Sequence, residues 1–142
     1  MPRTKLPEVL GRIRALSERT GLRIANVFHA GDGNLHPLIC YDENVSGQEA
    51  LAEEVAGEIL GYCVEAGGSI TGEHGVGADK KDYMPRMFSD DDLAVMQQVR
   101  DAIDPARLCN PGKVLPTPRL CGETPGRYRQ HPVEAAGLGE RF

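Results

Sequence analysis

Apolar residues recur at helical spacing in three stretches of the chain. The first runs from Leu6 to Leu16 and predicts a helix over residues 7–19, with Pro7 in its first turn and Gly21 just past its end. The second predicts the longest helix, over residues 47–66, opened by a capping box at Ser46–Glu49. The positions that we expect these two helices to bury are Leu6, Val9, Leu10, Ile13 and Leu16, and Leu51, Val55, Ile59, Tyr62 and Cys63.

The third helical stretch follows Ser89, a predicted N-cap, and three acidic residues whose charge suits a helix N-terminus. Pro105 ends this helix, and Pro85 interrupts a weaker helical segment over residues 79–88. We expect the buried face of the third helix to consist of Leu93, Met96, Val99 and Ile103.

β-Branched and aromatic residues predict strands on both sides of a turn, over residues 22–28 and 35–41, and a short third strand over 69–71. Pro37 cannot donate to a strand ladder, so the second strand should have an exposed or irregular edge. The element order shows no repeated strand–helix–strand unit with a phosphate-binding glycine loop. It therefore favours an α+β fold with an antiparallel sheet and helices on one face.

The turn between the two longer strands is flanked by histidines, in the sequence His29-Ala-Gly-Asp-Gly-Asn-Leu-His36. An Asp-Gly pair is a strong signal for a two-residue hairpin loop. With Asp32-Gly33 as that loop, His29 would face His36 on one side of the sheet, where paired Cβ atoms lie roughly 4.5–5.5 Å apart. Two imidazoles at that distance can share a metal ion, and a simple polar cross-strand pair is the alternative.

A second glycine-rich stretch, Gly72-Glu-His-Gly-Val-Gly77, adds an acid and a third histidine. Together, His29, His36 and Glu73 form a ligand set suited to zinc, manganese or iron, and three protein ligands leave one position open for catalysis. In extended backbone, Glu73 and His74 would point to opposite sides, so His74 could act as a general base while Glu73 binds the metal. A solvated loop is the alternative for this pair.

Composition excludes some classes of function. The net charge of −5 argues against non-specific nucleic-acid binding, and no apolar run approaches the roughly 20 residues of a membrane span. The residues from Met1 to Lys5 lack the apolar stretch of a secretory signal. The four cysteines form no CxxC pair, which indicates reduced thiols in an intracellular protein.

Three motifs occur here in the order of one known family: His29–His36, Gly72–Gly77, and Asp104-Pro followed by Asn110-Pro-Gly-Lys-Val-Leu-Pro116. On these motifs the chain resembles the C-terminal region of FAD-linked oxidases, which are flavoproteins of the vanillyl-alcohol-oxidase type. It is most similar to the FAD-linked subunits of glycolate oxidases and to D-2-hydroxy-acid dehydrogenases such as D-lactate dehydrogenases. The resemblance implies a cap domain with a partial ferredoxin-like sheet over residues 1–116. A flexible tail, rich in proline and glycine, is expected over residues 117–142.

The resemblance also implies roles for eight residues in the oxidation of a 2-hydroxy acid. FAD would accept the electrons, a divalent metal would polarise the substrate hydroxyl, and a histidine would take its proton. The metal ligands would be His29, His36 and Glu73, the base His74, the residue close to the flavin Asn110, and the residues near the substrate Arg3, Lys5 and Asn34.

Members of this family run to several hundred residues, whereas this chain has 142, and we expect the FAD-binding domain not to be among them. We therefore expect a separate domain or subunit to bind FAD, and the isolated chain not to oxidise 2-hydroxy acids. A fragment, a split gene and a remnant all fit this pattern. We expect a cytoplasmic location, or one at the inner membrane through partner subunits; a homo-oligomer is also compatible.

Two other functions stay open at this point. One is a non-enzymatic module that keeps the cap fold and binds a metal or a partner. The other is a metal hydrolase in which His29, His36 and Glu73 hold a reactive water.

Overall fold

The computed structural model describes residues 1–116, and the predicted tail over 117–142 lies outside the described residues. Short 3-10 helices span Arg3–Lys5 and Lys81–Arg86. The longer elements are helix α1 (Leu6–Thr20), strands β1 (Arg23–His29) and β2 (Asn34–Cys40), helix α2 (Gln48–Glu65) and helix α3 (Asp90–Ile103).

Helices α1 and α2 pack together against one face of the antiparallel β1–β2 sheet. Ile24 of β1 and Leu35 and Ile39 of β2 face these helices and pack against their buried residues. This arrangement confirms the predicted α+β fold with helices on one face. The buried core consists of Val9, Ile13, Leu16, Leu22, Ala52, Val55, Ile59 and Cys63.

The predicted buried face of α3 is wrong. Val99 and Ile103 are 56% and 81% exposed, and no residue of α3 is buried. The helix itself is well formed, because Ser89 and Asp92 make a reciprocal capping box at its start, as the sequence predicts for Ser89. Apolar spacing thus indicated a helix, but within residues 1–116 its face is only partly covered: Leu93 and Met96 are half-buried, and Val99 and Ile103 are exposed.

Two local predictions around α2 are also wrong. The N-cap of α2 is Gly47, with a φ of 86° and no side-chain cap, so Ser46 does not form a capping box. Residues 69–71 pair with no strand of the described chain. Instead, Ile70 is buried and its N–H donates to Met87 Sδ at 3.2 Å. The β-branched side chains of Ile70 and Thr71 produce a strand-like sequence pattern without a strand partner in the described chain.

Among residues 1–116, no helix combines the length and the apolar character needed to cross a membrane.

The described cysteines differ in environment, which gives a testable order of reactivity. Cys40 and Cys109 are exposed, whereas burial raises the pKa of the Cys63 thiol. Because the thiolate is the nucleophile, iodoacetamide at about pH 8 should modify Cys40 and Cys109 well before Cys63. Timed alkylation followed by peptide mass spectrometry measures these rates. Equal rates at the three sites would contradict the packing of Cys63 into the core.

Candidate metal centre

The two strands of the hairpin do not pair in the predicted register. His29 lies opposite Asn34, and His36 lies opposite Val27, so the prediction that the two histidines face each other is wrong. All four side chains are nevertheless on the same side of the sheet. Paired residues share a side, and the two pairs are two residues apart along each strand, where side chains point the same way again. The His29 and His36 rings meet along the diagonal, with centroids 5.4 Å apart and planes at 86°.

A longer loop causes this shift in register. Residues 30–33 all lie between the paired positions, and the Asp32 N–H donates to the His29 carbonyl at 3.0 Å. Gly33 has a φ of 68°, but Asp32 does not have the positive φ that a two-residue type I′ loop requires. The loop is therefore a four-residue connection, which displaces the histidines from direct opposition.

Glu73 approaches β2 from the loop that follows α2. Its Oε1 atom lies 3.1 Å from His36 Nε2 and 3.6 Å from His74 Nε2. The His36 and His74 rings are also close, with centroids 5.3 Å apart. The expectation that Glu73 and His74 point to opposite sides is wrong, because residues 72–74 form a bend rather than an extended strand. One carboxylate thus lies within reach of two imidazoles.

The structure brings three of the predicted residues together as one possible ligand group. Each of His29, His36 and Glu73 offers a ligand atom, and these atoms all lie within 4.8 Å of one another. Two imidazoles and one carboxylate suit a divalent transition metal, so the residues present fit such an ion. The His36 side chain is 23% exposed and that of Glu73 is 56% exposed, which leaves the group open to a substrate.

Asn34 and Gly72 lie next to the ligand group: Asn34 is close to His36, and Gly72 is close to Asn34. Asn34 Nδ2 lies 3.3 Å from His36 Nε2. A Cβ added at Gly72 would overlap Asn34 Oδ1 and would lie 3.0 Å from Asn34 Cγ. The loop carrying Glu73 passes this close to β2 without a side chain at residue 72, and a Cβ there would require the Asn34 side chain or the loop to shift.

A cleft of about 1030 Å³ opens beside these residues, between β2, α2 and the segment from Ser69 to Tyr83. Asn34, His36, Glu73 and His74 all line it. The other four predicted site residues are not part of its lining: His29, Arg3, Lys5 and Asn110. The ammonium of Lys5 instead pairs with the Glu8 carboxylate at 2.9 Å.

Asn110 lies in an ordered loop after α3, with a φ of 46°. The N–H of Val114 in this loop donates to the Gly77 carbonyl at 2.8 Å, which joins the third motif to the second. Sequence reasoning missed Arg100, whose guanidinium lies 2.6–2.8 Å from three acceptors of the loop. These acceptors are the backbone carbonyls of Cys109, Asn110 and Lys113.

Asp104 orders the start of the same loop. The backbone N–H groups of Cys109 and Leu108 donate to its carboxylate at 2.7 and 3.0 Å. These hydrogen bonds hold the pKa of the Asp104 carboxyl below its ordinary value. The Asp-Pro part of the third motif thus has a visible local role in shaping the loop.

Two adjacent lysines are typical of a solvated surface, and the sequence assigns Lys80 and Lys81 no role in the site. Both are half-buried, and Lys80 lines the cleft. Lys81 turns the other way and donates to the Gly112 carbonyl at 3.2 Å. Nothing in the local sequence distinguishes these two neighbours, since only the fold determines which one faces the cleft.

Comparison with known proteins places these motifs in a family context. The family model described as "FAD linked oxidases, C-terminal domain" matches residues 1–114. The chain is 50% identical over 131 residues to glycolate oxidase subunit GlcD of Escherichia coli K12, covering 92% of this chain and 26% of that protein. It is 36% identical over 115 residues to the mitochondrial D-lactate dehydrogenase [cytochrome] of Kluyveromyces lactis, covering 81% of this chain and 19% of that protein.

A third relative, the D-lactate dehydrogenase of Archaeoglobus fulgidus, is 35% identical over 117 residues, which cover 81% of this chain and 25% of that protein. The chain thus spans about a quarter or less of the length of these curated relatives.

Proposed function

Because this chain belongs to the family of FAD-linked oxidase C-terminal domains, we propose that it supplies the metal ligands and the proton acceptor of a flavin-dependent 2-hydroxy-acid oxidoreductase. The observation that carries the proposal is the close grouping of His29, His36 and Glu73, with His74 beside it. Two relatives are named for glycolate and D-lactate, and both compounds are 2-hydroxy acids.

In this proposal, His29, His36 and Glu73 hold a divalent ion, which supplies Lewis-acid polarisation of the substrate hydroxyl. His74 accepts the hydroxyl proton on its ring, since an imidazole nitrogen can act as a general base. Its side chain is 72% exposed, so a substrate can approach it. The Glu73 carboxylate, 3.6 Å from His74 Nε2, stabilises the imidazolium that this proton transfer creates.

A flavin would supply the two-electron oxidation. Residues 1–116 contain no doubly wound dinucleotide-binding unit, because their sheet has two antiparallel strands and no glycine loop between a strand and a helix. Gly75-Val-Gly77 does not complete a GxGxxG fingerprint, since Lys80 stands at the third glycine position. We assign flavin binding to a separate domain or subunit, and we expect this chain to work in the cytoplasm or at the inner membrane with it.

Metal analysis of the purified chain tests this proposal. After loading with Zn²⁺, Mn²⁺ or Fe²⁺ and gel filtration, we expect about one bound ion per chain in the wild type and a large loss in His29→Ala. The chain alone should not oxidise glycolate or D-lactate, whereas its complex with an FAD-binding partner should. Absence of metal from both the wild type and His29→Ala would overturn the proposal.

One observation favours a second candidate, a non-enzymatic partner-binding module. The apolar residues Val95, Val99 and Ile103 of α3 are exposed within the described part of the chain. A complex that retains metal but neither binds flavin nor oxidises 2-hydroxy acids would favour this candidate.

A further inference from the structure

The charged side chains that line the cleft are mostly acidic. Lys80 is the single lysine or arginine among the described residues that line it. Five carboxylates share the lining, so an anionic ligand that enters the cleft meets repulsion unless a cation offsets it. These carboxylates belong to Asp32, Glu53, Glu73, Asp79 and Asp82.

The backbone holds Lys80 at a defined place in this lining. Its N–H donates to the Val76 carbonyl at 3.2 Å, and its own carbonyl accepts from the Tyr83 N–H at 3.0 Å. The residue stands directly before the 3-10 helix Lys81–Arg86 and is half-buried. Its side chain therefore starts from a fixed point at the cleft wall.

The ammonium of Lys80 is also available for a ligand. Among residues 1–116, the ion pairs made by lysine and arginine use Lys5, Arg12, Arg14, Arg19 and Arg107, and Lys80 makes none. Arg3 and Lys5, which the sequence placed near the substrate, do not line the cleft. The Met1 α-ammonium also lines the cleft but donates to the Gly33 carbonyl at 3.0 Å, so Lys80 is the side-chain cation that the described cleft can offer to a carboxylate.

We propose that Lys80 binds the carboxylate of a 2-hydroxy acid whose hydroxyl lies at the metal group of His29, His36 and Glu73. This inference rests on the proposed function, because that function assigns the hydroxyl to the metal group. A lysine ammonium is a compact charge with three donors on a flexible stem, which suits a carboxylate in an otherwise acidic cleft. Lys80 would then select 2-hydroxy acids over neutral alcohols.

The test uses the full chain loaded with Zn²⁺ and titrated with D-lactate, with binding followed by two-dimensional ¹⁵N NMR. Lys80→Ala and Lys80→Gln should each weaken D-lactate binding about 10-fold or more, as expected for loss of a charged hydrogen bond. Lys81→Ala is the matched control, because it removes the same charge one residue away, and it should bind D-lactate like the wild type. Zinc affinity should be unchanged in all three variants, and lactamide, which lacks the charge, should not distinguish them.

The outcomes separate the two proposals. If the chain binds zinc but Lys80→Ala and Lys81→Ala bind D-lactate equally well, the role of Lys80 is overturned and the metal centre stands. Zinc binding without any D-lactate binding also overturns the role of Lys80. The same holds if inorganic phosphate displaces bound D-lactate at a concentration below that of D-lactate. If the chain binds no zinc, the proposed function fails, and the role of Lys80 fails with it. Dispersed NMR spectra of each variant establish that the fold is intact.

Discussion

The substitution His36→Ala is expected to weaken binding of a divalent metal by at least about 100-fold. His36 connects the group, since its Nε2 atom lies 3.1 Å from Glu73 Oε1 and its ring centroid lies 5.4 Å from that of His29. Loss of a residue that only supports a ligand typically costs 10–100-fold in metal affinity, so loss of a ligand should cost at least as much. Competition with a chromophoric zinc chelator measures this change.

His74→Ala is the control for this prediction. Its ring lies near that of His36, at a centroid distance of 5.3 Å, but His74 is not part of the ligand group. We expect the variant to bind zinc with nearly wild-type affinity. In the complex with a flavin-binding partner, it should instead lose roughly 10²–10⁴-fold in turnover, as expected for loss of a general base. A loss of zinc affinity equal to that of His36→Ala would contradict the division of roles between them.

The substitution Gly72→Ala is expected to lower metal affinity about 10-fold or more while changing stability little. The new Cβ would overlap Asn34 Oδ1, so either the Asn34 side chain or the loop that carries Glu73 must shift. Because the end of a side chain can move, the free energy of unfolding should fall by less than about 1 kcal/mol, the low end of overpacking effects. The displaced groups lie against the ligands, and the metal site should therefore lose affinity.

Gly31→Ala provides the matched comparison for Gly72→Ala. A Cβ at Gly31 would meet nothing within 4 Å, and Gly31 has no positive φ. This variant should match the wild type both in urea unfolding and in zinc titration. If Gly72→Ala behaves like Gly31→Ala in both measurements, the close approach of residue 72 to β2 has no bearing on the site.

Much of the secondary structure could be predicted because its signals are local. The helix expected over residues 7–19 is Leu6–Thr20, and the one expected over 47–66 is Gln48–Glu65. Helical spacing of apolar residues, with proline at the start and glycine at the end, depends on neighbours a few positions apart. Ser89 was recognised as an N-cap for the same reason, since its partner Asp92 is three residues away.

The errors occur where distant parts of the chain decide the outcome. The burial of α3 depends on what lies against it, and an amphipathic pattern does not carry that information. The β-branched residues Ile70 and Thr71 predict a strand, whereas the Ile70 N–H donates to Met87 Sδ, seventeen residues away. The register of the hairpin depended on loop length, and Asp32-Gly33 was equally compatible with the longer loop that forms.

By itself, the sequence determined which residues make up the candidate site. His29, His36, Glu73 and His74 stand in two short glycine-rich motifs, which can be recognised without knowledge of the fold. Only the tertiary structure decided that Glu73 reaches His36, that His29 meets it along the diagonal, and that Lys80 rather than Lys5 lines the cleft. The physical reason is that the Glu73–His36 contact joins β2 to a loop more than thirty residues later, and that the His29–His36 contact depends on the length of the hairpin loop. The distances depend on how α2 packs on the sheet and on the absence of a side chain at Gly72. Neither effect can be deduced from a local sequence pattern.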